Sequence, residues 1–147
     1  MKANPDQGTI SKRVYGAEAH YNLHWSPLRS SDRYEITRSV PAVAGVYELY
    51  VADGGRLRRF ILSPAWYGGL RAAIRQGTDA EATPDLERRA LLARFPCYYR
   101  FCAVGSRGDL EDVYAFLDQS SGSDAPAQPS GRYESVTVAV RGELEAS

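Results

Sequence analysis

Alternation is the clearest signal in the first third of the chain. Ala19, Tyr21, Leu23 and Trp25 fall on one side, and Glu18, His20, Asn22 and His24 on the other. A period of two predicts a half-buried strand or extended arm, because successive side chains of an extended backbone point to opposite faces. Ser26-Pro27 ends it, and residues 1–13, polar and without periodicity, read as a loose leader. Ser30-Ser31-Asp32 offers a helix cap ahead of Ile36, which predicts a short helix or turn within 30–39. Gly45-Val46-Tyr47-Glu48-Leu49-Tyr50-Val51 is rich in β-formers and runs into the turn signal Asp53-Gly54-Gly55. Arg56-Leu57-Arg58-Arg59-Phe60-Ile61-Leu62 follows as its partner, so 45–62 is expected to be a hairpin.

Helical signals dominate next. Ser63-Pro64 resembles a cap with proline at the first helical position, and Trp66 or Tyr67, Leu70 and Ile74 give a helix over 64–76 its apolar stripe. Thr83-Pro84 repeats the signature ahead of Leu86, Ala90, Leu91 and Phe95, and Pro96 closes that helix. Cys97 to Val104 reads as a third strand, and Ser106 with Asp109 as a capping-box start for a helix reaching Leu117. Residues 119–131 lack bulky apolar side chains and are expected to be a flexible loop. Val136, Val138 and Val140 alternate in a last strand, within a C-terminal segment 132–147. The fold class is therefore α+β: a small mixed or antiparallel sheet with helices packed on it, in one domain over 14–118. There is no internal repeat.

The hairpin, the helix behind it, the third strand and the acidic helix resemble the GIY-YIG nuclease domain over about residues 41–118. Gly45-Val46-Tyr47, preceded by Pro41 and followed by Glu48-Leu49-Tyr50, stands as the first motif. Phe60-Ile61-Leu62 occupies the place of the second. The upstream Trp25-Ser26-Pro27-Leu28 and Val40-Pro41 are similar to the lead-in of some bacterial members. The resemblance implies that Tyr47 helps activate water, Glu111 binds a magnesium ion, and an arginine of the 64–76 helix, Arg71 or Arg75, holds phosphate. Plainer roles stand beside these: Tyr47 as a strand aromatic, Glu111 as an acid favoured in a first helical turn, the arginines as a solvated face.

Departures from the motif set the functional expectation. Phe60 removes the second motif's phenolic oxygen, and a phenyl ring cannot replace its hydrogen bonding or acid–base role. Leu62 stands where the family keeps glycine, and the family's arginine falls near Ala72 or Ala73 unless 66–69 is an insertion. The expected function is a GIY-YIG-like module with impaired nuclease chemistry that binds nucleic acid or a protein. The alternative is a divergent magnesium-dependent endonuclease using Tyr47, Glu111 and Arg71 or Arg75.

Charge sharpens the partner expectation. Eighteen basic and eighteen acidic residues among 147 cancel, which excludes a globally basic nucleic-acid coat and a polyanion mimic. The distribution is uneven: residues 56–107 carry ten arginines against four acids, and 108–147 carry two against eight. Arg56, Arg58, Arg59, Arg71, Arg75 and Arg100 are the candidate phosphate contacts, with Tyr98 and Tyr99 nearby. Pairing of this basic middle with the acidic C-terminal part is the competing account. His20 and His24 would sit about 13 Å apart on a strand, too far for one zinc ion. Cys97 and Cys102, about 16 Å apart in the same way, do not suit a disulfide. The chain starts with no apolar signal region and holds no membrane-length apolar run, so no membrane partner and a cytoplasmic location are expected. Nucleophile-elbow, Walker and dinucleotide-binding patterns are lacking.

Overall fold

The computed structural model describes residues 8–66 and 68–141. The chain is α+β, with four helices and two small sheets. β1 (Thr9–Tyr15) pairs antiparallel with β2 (Glu18–His24), and β7 (Ser135–Arg141) lies parallel to β2 on its other side. The second sheet is antiparallel and ordered β3-β6-β4-β5: β3 (Arg29–Ser30), β6 (Cys97–Ala103), β4 (Gly45–Asp53) and β5 (Arg56–Ala65). The expected hairpin is thus present, with its first strand in the sheet interior and its second at the edge.

Alternation along β4 and β6 divides two cores. Val46 and Cys102 face a core shared with Tyr21, Leu23 and Trp25, with Val138 of β7, and with Leu110 and Val113 of α4 (Arg107–Ser120). Tyr47, Leu49, Tyr99 and Phe101 face the other core, covered by Ile36 of α1 (Arg33–Ser39) and by Leu70 and Ile74 of α2 (Gly69–Gly77). Burial on both faces explains why β4 shows no hydrophobic–polar alternation. α3 (Leu86–Arg94) is different: none of its residues is buried, and Leu86 is 74% exposed.

Several expectations need correction. Residues 9–13 are not leader but strand, because β2 requires a partner on that edge and Ile10 and Lys12 face inward; residues 1–7 lie outside the described residues. The sheet is two sheets, since the strand over 18–24 pairs with β1 and β7 rather than with the hairpin. Ser63-Pro64 does not start a helix: β5 continues through Ala65 to pair with Gly45 and Val46, and a proline is tolerated there because β5 is an edge strand. α2 starts instead at Gly69; Tyr67, assigned to this helix from sequence, lies outside the described residues. Asp85, not Thr83, caps α3, accepting from the backbone N–H of Glu87 at 3.0 Å. α4 runs on to Ser120, past the expected start of the loop. Cys97 and Cys102 are free and buried, and burial pushes their thiols up to about 11 and about 12.

Candidate nucleic-acid interface

The six candidate arginines separate into bound and free. Glu48, 3% exposed in β4, accepts from Arg100 Nε at 2.6 Å, from Arg59 at 2.6 Å and from the Tyr50 hydroxyl at 2.8 Å. Arg100 is only 7% exposed and stacks its guanidinium 4.6 Å from the Trp25 ring. A buried carboxylate needs such partners, so Arg100 is a core residue and not a surface contact. Arg59 is held between Glu48 and the Ser121 hydroxyl at 2.7 Å. Arg71 donates from Nε to the Val40 carbonyl at 2.8 Å, which ties α2 to the end of α1. Tyr99 is fully buried. Arg56 and Arg58 remain exposed on β5, and Arg75 lines a groove between α1 and α2 with Ser31, Arg33, Thr78 and Asp79.

Arg58 also belongs to a groove of about 360 Å³ between β5 and α3, lined by Arg59, Phe60, Asp85, Glu87, Arg88 and Leu91 as well. Its floor follows from a β-bulge. Leu49 pairs with Ile61 and Tyr50 with Arg59, so Phe60 is the extra residue, and both Phe60 and Ile61 turn toward the α1–α2 core. Phe60, at the second-motif position, is therefore packing plus groove floor. The guanidiniums of Arg56, Arg58 and Arg88 have no partner among the described residues. Asp85 is occupied as the α3 cap, which leaves Glu87 as the groove's unengaged acid. The start of β5 (56–60) and the segment 85–94 together hold six arginines against two acids. Sequence reasoning missed Arg88; the exposed, arginine-bearing pattern of α3 was the available signal.

The residues of the alternative reading do not assemble in the same way. Tyr47 is 8% exposed, packed with Ile36, Val40, Leu70 and Ile74. After burial and Asp118, it is a third influence raising the Tyr114 phenol of α4, which places the two phenols in one neighbourhood. Glu111 lies one turn before Tyr114, but its carboxylate faces Arg107 at 3.8 Å, and Arg107 in turn covers the Trp66 ring at 5.4 Å. Glu111 is thus a half-exposed acid loosely paired with a largely exposed arginine. No group of three or more His, Cys, Asp or Glu side chains among the described residues is placed to bind a metal. Arg71 is engaged at the Val40 carbonyl and Arg75 lines the α1–α2 groove.

A second polar cluster joins α4 to the first sheet. Asp109 and Asp112 of α4 receive Lys12, Tyr21 and Arg132, with Lys12 and Arg132 at 2.9 and 3.0 Å from Asp109 Oδ1. Asp112 also accepts from Ser130 N at 2.7 Å. Burial opposes ionisation of Asp109, yet hydrogen bonds from Lys12, Arg132, Tyr21 and Ser106 outweigh it and hold the carboxyl at about 2. This cluster binds β1, β2, α4 and the 121–134 segment to one another.

Fold and surface together define a small α+β protein with an arginine-lined groove at the edge of its antiparallel sheet. A family model described as "Uncharacterised protein" matches residues 9–146, and the chain belongs to that family. No curated protein and no solved structure matches it. No helix among the described residues is long and apolar enough to cross a membrane.

Proposed function

We propose that this chain is a GIY-YIG-like module with impaired nuclease chemistry that binds nucleic acid through phosphate contacts along the β5–α3 groove. The carrying observation is the pair Arg58 and Arg88, without a partner among the described residues, lining a groove with Phe60 and Leu91. An unpaired guanidinium offers a forked donor matched to phosphate oxygens, and Arg56 extends the track along the same strand. The order of hairpin, α2, α3, β6 and α4 supports the GIY-YIG-like part of the reading. Impairment is supported by Phe60, by Glu111 facing Arg107, and by Arg71 being spent on Val40. A protein partner is the second candidate for the same groove, and the cytoplasm is the compartment that suits free buried thiols.

The endonuclease alternative requires water activation, metal and cation at one phosphate, within hydrogen-bond or one-water reach. A cleavage assay with magnesium or manganese, run beside Glu111→Ala and Tyr47→Phe, tests it; the expected outcome is no metal-dependent cutting. Cutting abolished by Glu111→Ala would reverse the ranking. Binding itself is tested with short duplex and single-stranded probes at low ionic strength. Retention of either supports the proposal, and retention of neither contradicts it.

A further inference from the structure

The sheet β1-β2-β7 buries Ala19, Tyr21, Leu23 and Val138 on one face, and no described residue covers the other. Register places Arg13, His20 and Thr137 in one row of the outer face, and Thr9, His24 and Arg141 in another. These rows lie about 13 Å apart along β2, four residues at about 3.3 Å each. Tyr15, 58% exposed, meets the His20 ring edge-on with centroids 5.6 Å apart, so the phenol is braced while its surface stays open. Glu18, whose carboxylate is 3.8 Å from His20 Nε2, is the one acid of this face among the described residues, beside Arg13 and Arg141.

We propose that this outer face docks single-stranded nucleic acid, with Tyr15 stacking on a base and Arg13 and Arg141 facing phosphates. A flat extended surface with an exposed ring and flanking cations is what unpaired bases and their backbone require. A duplex keeps its bases stacked inside and gains nothing from Tyr15. A protein partner is disfavoured because Tyr15 and the small Ala139 are the apolar side chains of this face among the described residues, whereas protein interfaces have an apolar centre. The surface shares no residue with the β5–α3 groove, so the two proposals stand or fall separately.

The test is fluorescence anisotropy with the full chain and a labelled oligothymidine of about 12 nucleotides, beside a duplex of equal length. Tyr15→Ala is expected to weaken the single strand about tenfold and leave the duplex unchanged, while Tyr15→Trp retains both. Arg141→Glu, at the far end of the face, is expected to weaken the single strand as well. An unchanged unfolding midpoint shows that these exposed positions leave the fold intact. Single-strand binding that is lost on Tyr15→Ala but kept by Arg58→Glu/Arg88→Glu supports this surface and leaves the groove to its own duplex test. No oligothymidine binding by the native chain, or binding indifferent to both Tyr15→Ala and Arg141→Glu, overturns it.

Discussion

Glu48 carries a charge into the middle of β4, where Val46, Leu49 and Val51 are all buried. Its carboxylate is compensated from two strands: Arg100 on β6 and Arg59 on β5. Removing a buried ion's partner leaves the other charge without compensation, which costs about 3–5 kcal/mol. Glu48→Ala is therefore expected to lose stability in that range in urea unfolding; a loss below about 1 kcal/mol would mean that Arg100 finds solvent or another acceptor. The demand was legible from sequence, since an acid inside an apolar run must be paired. Its partners were not. Arg59 and Arg100 looked like surface cations because neither their local pattern nor the charge count reveals which face of a buried strand they occupy. Gly45 was legible only as a motif letter. A Cβ there would collide with the Cys102 carbonyl and approach Leu70 Cδ1 to 2.6 Å, so close packing alone requires glycine.

Elements with strong periodicity or caps were recognised, though not always to the residue: β2, the hairpin, β6, and the helices expected within 30–39, after Thr83-Pro84 and from Ser106 to Leu117, the second capped by Asp85 and the third extended to Ser120. Those decided by long-range pairing were not. β1 has an irregular apolar pattern and exists because β2 offers it an edge; β5 overrides the Ser63-Pro64 helix signal because β4 is long enough to pair with it to Ala65. The chain then turns through Gly68 and Gly69 into α2. Gly69 has φ of 76°, and a Cβ there would lie 2.7 Å from the Ala42 backbone. Gly69→Ala is expected to cost at least about 1 kcal/mol, read as a lowered midpoint in thermal unfolding. α4 carries a pH-dependent tether. Because the Asp109 carboxyl is held at about 2 against an ordinary 3.8, its stabilisation is complete above the ordinary value and fades as pH falls toward 2. With the side chain 21% exposed, the expected loss is about 1–2 kcal/mol, and Asp109→Asn is expected to flatten the acid limb of a stability–pH curve.

The neutral total charge conceals a polarised surface, and the fold decides which part of it is available. Of the basic middle, Arg59 and Arg100 serve Glu48 and Arg71 serves Val40, while the acidic pair Asp109–Asp112 is consumed by Lys12 and Arg132. What remains at the sheet edge is Arg58 and Arg88 over Phe60 and Leu91, with Arg56 exposed further along β5. The excess of arginine in 56–107 pointed to the region; the specific set required the bulge at Phe60 and the docking of α3, neither of which has a local sequence signature. Phosphate contacts release counterions, so each one contributes to the slope of log affinity against log salt. The decisive measurement is that slope for native chain and Arg58→Glu/Arg88→Glu, on a short duplex. The account predicts measurable binding at low salt, and a double variant that binds more weakly with a slope reduced by about 2. An unchanged affinity and slope in the double variant would contradict it.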